Sequence, residues 1–148
     1  MGITLRPATI EDAEMILSWR NDEVTRANSF SGDVITYEAH MEWFRKKLAD
    51  ENCYLYIMTD DDECVGQARI DVVNDIGEIS YMTAPGKRGM GYGRKIISLC
   101  EDVPNGGVMA FMGLVQKENE ASRKCFLQNG YAEFNGGDIY CYIKTLNK

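Results

Sequence analysis

The segment Gly86-Lys87-Arg88-Gly89-Met90-Gly91-Tyr92-Gly93-Arg94-Lys95 is the most specific local signal in this amino-acid sequence. A segment with β character at 76–83 precedes it, and apolar residues at helical spacing follow it. Glycines at 89, 91 and 93 lack the Cβ atoms that would keep a ligand away from the backbone. The amides there, backed by a helix N-terminus, favour negative charge. Residues 86–95 hold basic but no acidic residues in a chain of net charge −7. The stretch therefore predicts a cradle for a phosphate or pyrophosphate.

Two better-known nucleotide-binding motifs fit this stretch poorly. A P-loop that runs from Gly86 to Gly91 needs Lys and then Ser or Thr, but Tyr92 and Gly93 stand there. A dinucleotide fingerprint that starts at Gly91 needs a small residue at 96, which is Ile96. That fingerprint also belongs in an early βαβ unit. Another kind of phosphate cradle and a flexible turn that binds nothing remain as alternatives.

The composition is that of an ordinary globular protein. The chain has 148 residues, of which 45% are hydrophobic and 26% are charged, and we expect one domain over 1–148. The negative net charge argues against nucleic acid as the main partner. Five cysteines without a C-x-x-C pair predict neither a disulfide framework nor a metal site. With no apolar run long enough to span a membrane and no secretory signal, we expect a cytoplasmic protein. We expect it to be a monomer or a homodimer.

Periodicity and turn signals predict the order β-α-α-β-β-β-α-β-α-β-β. Antiparallel hairpins early in the chain and a later strand-helix-strand crossover predict an α+β fold, with a mixed, mostly antiparallel sheet covered by helices on both faces. Residues 21–35 are expected to be irregular. The predicted strands are 3–6, 54–58, 64–73, 76–83, 108–115, 131–134 and 139–146. The predicted helices begin near residues 9, 37, 93 and 119.

Two motifs in the second half of the chain resemble those of the GCN5-related N-acetyltransferases, the GNAT family. Arg88-x-x-Gly91-x-Gly93 matches the family motif [QR]-x-x-G-x-[GA]. The segment 119–131 resembles the family pattern N-x-x-[AS]-x-x-x-Y-x-x-x-G-[FY], and the order of elements agrees along nearly the whole chain. The resemblance implies a GNAT fold with a splayed parallel strand pair. It also implies transfer of an acetyl group from acetyl-CoA to an amine, without a metal.

The same resemblance implies which residues would contact the cofactor. The backbone of 88–93 would hold the CoA pyrophosphate, and the pantetheine arm would pair with the main chain near Met82 and Thr83, as an added strand does. A main-chain N–H there, assigned to Met82 as a catalytic group, would polarise the thioester carbonyl. The implied cofactor-binding residues are Met82, Thr83, Arg88, Gly89, Met90, Gly91, Tyr92, Gly93, Arg94, Asn119 and Ser122.

The residues for proton transfer are less clearly indicated. Many family members carry a tyrosine where this chain has Phe126, which cannot protonate the departing thiolate. Because a thiol has a pKa near ~8.5, unprotonated departure at pH 7 costs only about 2 kcal/mol, and Tyr140, Tyr142 or water would substitute. Glu78, on the strand that enters the cleft, is the candidate base, acting directly or through a water. The alternative for Glu78 is a solvated acid at a strand end.

The N-terminal third is expected to bind the acceptor. Segments 19–26 and 40–44 resemble bacterial acetyltransferases that acylate amino-sugar nucleotides in pseudaminic-acid and related surface-glycan pathways. This resemblance implies a sugar amine carrying a nucleoside diphosphate, with Arg20, Arg26 and His40 as substrate-binding residues. For the arginines the alternative is ion pairing with neighbouring acids, and for His40 it is packing in the core.

Two other functions stay open at this stage. An acetyltransferase for protein α-amino groups, like those that modify ribosomal proteins, would suit the acidic surface, because basic protein tails would be attracted to it. A CoA-binding sensor without turnover is favoured by Phe126. Release of CoA thiol with a panel of amines distinguishes an enzyme from a sensor.

Overall fold

The computed structural model describes residues 2–146. The strands are β1 Ile3–Pro7, β2 Cys53–Asp60, β3 Glu63–Val73, β4 Ile76–Thr83, β5 Ala110–Gln116, β6 Ala132–Asn135 and β7 Ile139–Thr145. The α-helices are α1 Ala13–Arg20, α2 Glu23–Ala27, α3 Tyr37–Ala49, α4 Tyr92–Cys100 and α5 Glu120–Gln128. A short 3-10 turn at Ile10–Asp12 leads into α1. Among the described helices, none is long and apolar enough to cross a membrane.

The strands form one sheet in the order β1-β2-β3-β4-β5-β7-β6. All neighbouring strands run antiparallel except β4 and β5, which are parallel and are connected through α4. The mixed, mostly antiparallel sheet predicted from the sequence is therefore confirmed. The pairing of β4 with β5 covers only the residues from Ile76 to Glu78, opposite Ala110 to Met112. Beyond Glu78 the two parallel strands have no paired residues, and the sheet splays there.

Each face of the sheet has its own apolar core. Helices α4 and α5 cover one face, where Ile96, Phe111 and Phe126 are almost completely buried. On the other face α1 and α3 pack on β2, and Ile16 and Phe44 are fully buried. Burial of each such side chain contributes roughly 1.5–3 kcal/mol. These two layers hold β4 and β5 apart at a fixed place, so the splay is part of the packed structure.

Local signals account for most of the helix ends. Thr36 begins α3 as predicted, since its hydroxyl accepts a hydrogen bond from the N–H of Ala39 (3.2 Å). The prediction that 21–35 is irregular was wrong in one respect, because α2 forms there. The carboxylate of Asp22 accepts from the N–H groups of Val24 and Thr25 (3.1 and 3.2 Å) and caps this short helix.

Candidate active site

A cleft of about 500 Å³ opens where β4 and β5 separate. Residues 79–83 and 114–116 form its walls. The glycine-rich turn, the start of α5 and residues from the segment 25–35 also line it, and Thr25 of that segment contacts Arg88 of the turn (2.9 Å). Because β4 continues to Thr83 without a β5 partner, one edge of it is free for main-chain pairing with an extended ligand.

The register of β3 against β4 decides which main-chain groups face the cleft. The N–H of Ala84 donates to the carbonyl of Val65 (2.9 Å), so these two residues are a hydrogen-bonded pair. Such pairs alternate along an antiparallel ladder, and therefore Met82 turns its N–H and C=O toward β3. Tyr81 and Thr83 turn theirs toward the open edge. We expected the N–H of Met82 to face a thioester, but the register turns this N–H toward β3, because alternate residues bond to opposite sides.

The glycine-rich turn presents bare backbone to the cleft. Gly89 and Gly91 have φ angles of +76° and +83°, a region that other residues rarely adopt. No atom lies within 4 Å of the position that a Cβ would take at either residue. Gly91 caps α4, and the first helical bond runs from the N–H of Lys95 to the Gly91 carbonyl (3.2 Å). The preceding amides of α4 have no partner within the helix, so they are donors for an anion.

The basic side chains of this turn are less available than the sequence suggests. The ammonium of Lys87 is paired with the carboxylate of Glu63 (2.9 Å). The guanidinium of Arg88 donates to the Asp22 carboxylate (2.7 Å) and to the hydroxyl of Thr25 (2.9 Å). Arg88 thereby ties α2 to the turn and lowers the pKa of Asp22. Main-chain amides, and not these two cations, are therefore the main anion-binding groups of the turn.

The start of α5 adds two polar side chains to the cleft. The side-chain oxygen of Asn119 accepts from the N–H of Ser122 (3.3 Å) and caps the helix, which leaves the Asn119 amide nitrogen as a donor. The hydroxyl of Tyr81 donates to the hydroxyl of Ser122 (2.8 Å). Burial raises the pKa of Tyr81, so its phenol stays protonated. Tyr81 was not among the residues expected from the sequence, because a tyrosine within a strand carries no local mark of function.

The two tyrosines considered as substitutes for a tyrosine at 126 lie elsewhere. Phe126 stacks on Tyr142 with ring centroids 5.2 Å apart, and the Tyr142 hydroxyl donates to Glu133 (2.7 Å). Tyr140 lies under the guanidinium of Arg123, 3.9 Å from its centre. Neither tyrosine lines the cleft, whereas Tyr81 does. In place of a tyrosine at 126, the cleft offers the hydroxyl pair of Tyr81 and Ser122.

Arg20 also lines the cleft and is held by aromatic and histidine contacts. Its guanidinium lies 4.2 Å from the ring centroid of Trp43 and donates to Nδ1 of His40 (2.9 Å). Because Nδ1 accepts from Arg20, the proton is on Nε2, which donates to the carbonyl of Ala13 (2.8 Å). His40 is fully buried, and burial lowers its pKa, which keeps the imidazole neutral. His40 does not line the cleft, so the direct contact with substrate that we expected is not possible from this position. It holds Arg20 in place through the hydrogen bond to its guanidinium.

Arg26 of α2 and two residues of β3 contribute further donors to the cleft. Arg26 lines the cleft and donates to the carbonyl of Asn21 (3.3 Å). Arg69 donates to the carboxylate of Asp71 (2.7 Å) and lies 5.3 Å from the Trp43 ring centroid. Gln67 is buried beside Met82 and also lines the cleft. The sequence did not mark Arg69 and Gln67, since only the strand register brings them to this place.

The structure brings most, but not all, of the expected site residues together. All the expected cofactor-binding residues except Met90 and Arg94 line the cleft. Met90 is 60% exposed on the turn, and Arg94 is exposed on α4. Glu78 is partly buried at the closed end of the splay, opposite Met112, and does not line the cleft. Within residues 2–146 no group of three His, Cys, Asp or Glu side chains is arranged to hold a metal ion.

Known proteins resemble this chain in sequence profile and in fold. The family model described as an acetyltransferase (GNAT) domain matches residues 3–132. A search of curated proteins gave no significant match. The spermidine N-acetyltransferase from Vibrio cholerae, solved with CoA and spermine, aligns over 97% of this chain and 95% of its own, with a TM-score of 0.84 and 17% identity.

Two further solved structures have the same fold. The aminoglycoside acetyltransferase AAC(6')-Ib, solved with CoA, covers 97% of this chain and 94% of its own, with a TM-score of 0.82 and 20% identity. RimL, a ribosomal alpha-N-protein acetyltransferase solved with CoA, aligns over 99% of this chain and 95% of its own, with a TM-score of 0.79 and 13% identity. At these identities the likeness concerns the fold.

The residues present fit the cofactor that this family uses. The cradle at Gly91 would be filled by a Cβ, the free edge of β4 suits the amides of a pantetheine arm, and the Asn119 amide is available as a donor. With the family model covering most of the sequence, this chain belongs to the GNAT acetyltransferase family and is an N-acetyltransferase that takes its acetyl group from acetyl-CoA.

Proposed function

We propose that this enzyme acetylates a primary amine of an amino-sugar nucleotide, with acetyl-CoA and the acceptor bound at the same time. The observation that carries the proposal is the charge at the acceptor end of the cleft. Arg20 and Arg26 line it, and neither forms an ion pair with a described residue. A nucleoside diphosphate offers the oxyanions that guanidinium groups bind well. A polycationic amine would instead place positive charge against these two arginines.

For acetyl-CoA we assign roles to the turn, to β4 and to α5. The amides of 89–93 bind the pyrophosphate, and Tyr81 and Thr83 pair with the pantetheine arm through the open edge of β4. One of these edge N–H groups also polarises the thioester carbonyl, the part first expected of Met82. Acetyl-CoA, when bound, supplies the activated acetyl group. Asn119 and Ser122, at the start of α5, orient the pantetheine arm. We assign protonation of the departing sulfur to the Ser122 hydroxyl, which accepts a hydrogen bond from Tyr81.

The acceptor amine needs little help to lose its proton. A sugar amine beside electron-withdrawing oxygens has a pKa well below the ~10.4 of lysine, nearer the ~8 of an α-amino group. Glu78 lies on the same face of β4 as Ser80, at the closed end of the cleft. We assign it the removal of the amine proton through a bridging water, since its carboxylate is set back from the lining.

The test is release of CoA thiol with four acceptors: a UDP-amino-sugar, a neutral alkylamine, spermidine, and a peptide with a free α-amino group. We expect the highest kcat/KM with the UDP-amino-sugar. Arg20→Ala should lower that value at least tenfold without changing the Kd of acetyl-CoA, because the arginine is assigned to the acceptor and not to acetyl-CoA. Arg45→Ala, at an exposed position of α3, is the matched control. A preference for spermidine or the peptide contradicts the proposed acceptor, and no release with any amine contradicts turnover.

A further inference from the structure

The side chain of Gln67 is a polar group that the protein itself leaves unsatisfied. Gln67 lies within β3, between Ile57 of β2 and Met82 of β4. It is 6% exposed and lines the cleft. Within residues 2–146, its Nε2 is the one fully buried side-chain nitrogen or oxygen without a hydrogen-bond partner. A desolvated donor without a partner destabilises the folded state, so a partner from outside the chain is expected.

The groups around Gln67 indicate what that partner is. Arg69 follows two residues later on the same face of β3, and Arg20 and Arg69 lie against the ring of Trp43. These side chains offer hydrogen-bond donors only. The nearby carboxylate of Asp71 is already ion-paired with Arg69 (2.7 Å) and does not line the cleft. Asp33 also lines the cleft, on the segment 25–35 and not on the sheet. The wall formed by Gln67, Arg69 and Arg20 is therefore complementary to oxygen acceptors.

We propose that the Gln67 side-chain amide turns toward the cleft when the acceptor binds and determines acceptor specificity there, by donating a hydrogen bond to an oxygen next to the reacting amine. The inference rests on the proposed acetylation of an amino-sugar and deepens it, because a sugar amine is flanked by hydroxyl or ring oxygens. The amide is already unpaired in the free protein, so an acceptor with that oxygen gains a hydrogen bond that an acceptor without it does not. Gln67 thus selects amino alcohols over simple alkylamines.

The first test is the stability of the free protein. Gln67→Leu removes the unpaired donor and keeps an apolar side chain of similar size, so its unfolding midpoint should be equal to or higher than that of the wild type. Gln128→Leu, at the exposed end of α5, is the matched control for the same chemical change. If the unfolding midpoint of Gln67→Leu is below those of the wild type and of Gln128→Leu, the amide has a partner in the free protein. That result overturns the proposal.

The second test compares UDP-glucosamine, which has oxygens on the carbons beside its amine, with cyclohexylamine, which has neither such oxygens nor a nucleotide; the effect of Gln67→Leu is measured within each amine. Gln67→Leu should lower kcat/KM at least tenfold for UDP-glucosamine and leave the value for cyclohexylamine and the Kd of acetyl-CoA unchanged. Gln67→Glu, which replaces the donor by an anionic acceptor, should lose at least as much with UDP-glucosamine. Equal losses for both amines, or weaker binding of acetyl-CoA, overturn the specificity role.

A binding measurement separates this proposal from the proposed function. If the wild-type enzyme acetylates neither amine, the acceptor class is wrong for these probes, yet Gln67 can still be tested. The side-chain amide signal of Gln67 in isotope-labelled protein, assigned by its loss in Gln67→Leu, is followed during titration with each amine in the presence of CoA. A shift with UDP-glucosamine and none with cyclohexylamine supports the proposal. No shift with UDP-glucosamine, or equal shifts with both, overturns it.

Discussion

Glu78 is the carboxylate to which we assign the removal of the acceptor's proton. It lies at the closed end of the splay, where β4 still pairs with Met112 of β5. If Glu78 acts through a water, Glu78→Gln should lower kcat by about tenfold near neutral pH, because an amine with a pKa of ~8 is only about one-tenth unprotonated at pH 7. The deficit should shrink as pH rises, because the amine then loses its proton unaided. The measurement is kcat against pH for both proteins.

The control for this change is Asp75→Asn, in the turn just before β4. It makes the same acid-to-amide replacement at an exposed position away from the cleft, and it should leave the profile unchanged. A Glu78→Gln profile that runs parallel to the wild type, or coincides with it, would show that Glu78 is a solvated strand residue and that water alone accepts the proton.

At the scale of elements, the junction of the glycine-rich turn and α4 is the most specific feature. Gly91 has a φ angle of +83° and lines the cleft. Gly91→Ala should cost about 1–2 kcal/mol in backbone strain and also place a methyl group where the pyrophosphate approaches. We expect the Kd of acetyl-CoA to rise at least tenfold, measured by calorimetry.

Gly86 separates these two effects. Its φ angle is +84° and, as at Gly91, no atom lies within 4 Å of an added Cβ, yet it does not line the cleft. Gly86→Ala should therefore lower the melting temperature about as much as Gly91→Ala does, but it should leave the Kd of acetyl-CoA unchanged. Equal weakening of acetyl-CoA binding by the two substitutions would mean that the turn acts through its rigidity, and not through close approach of the ligand to Gly91.

At the scale of the whole molecule, an ion pair anchors the start of α1 to the edge strand β1. The guanidinium of Arg6 donates two hydrogen bonds to the carboxylate of Asp12 (2.9 and 2.8 Å), which also accepts from the N–H of Thr9 (2.8 Å). Asp12→Asn should lower the free energy of unfolding by about 2 kcal/mol at pH 7. Hydrogen bonding from Arg6, the largest cause, lowers the pKa of Asp12 below its ordinary value.

This lowered pKa gives the stability a defined dependence on pH. The contribution of Asp12 is fully present above the unfolded-state pKa of ~3.9 and is lost as pH falls through the lower pKa of the folded state. The difference in unfolding free energy between wild type and Asp12→Asn, from denaturant titrations, should therefore narrow as pH falls below about 4. Asp138→Asn, at an exposed turn, serves as the control. A difference that stays constant down to pH 2 would contradict the assignment.

Local patterns were sufficient for most of the architecture. The hairpin of β2 and β3, the strand before the glycine-rich turn and the helix after it were predicted because alternation, helical spacing and turn residues are local properties. The helix α2 was missed, since its formation depends on the cap by Asp22 and on the contact of Arg88 with that same carboxylate, 66 residues away. Within the site, the backbone-binding turn was predicted, whereas Tyr81, Gln67 and Arg69 were not.

The order of the elements, the mixed sheet and the glycine turn before α4 could be predicted from the amino-acid sequence, because each follows from residues close together in the chain. The burial of His40 beside Arg20, the position of Glu78 outside the cleft lining and the direction of the Tyr81 N–H toward the open edge required the folded structure. For the two β4 residues the cause is strand register. A shift by one residue would reverse which groups of β4 face β3 and which face the cleft, and register is set by pairing and burial between distant segments.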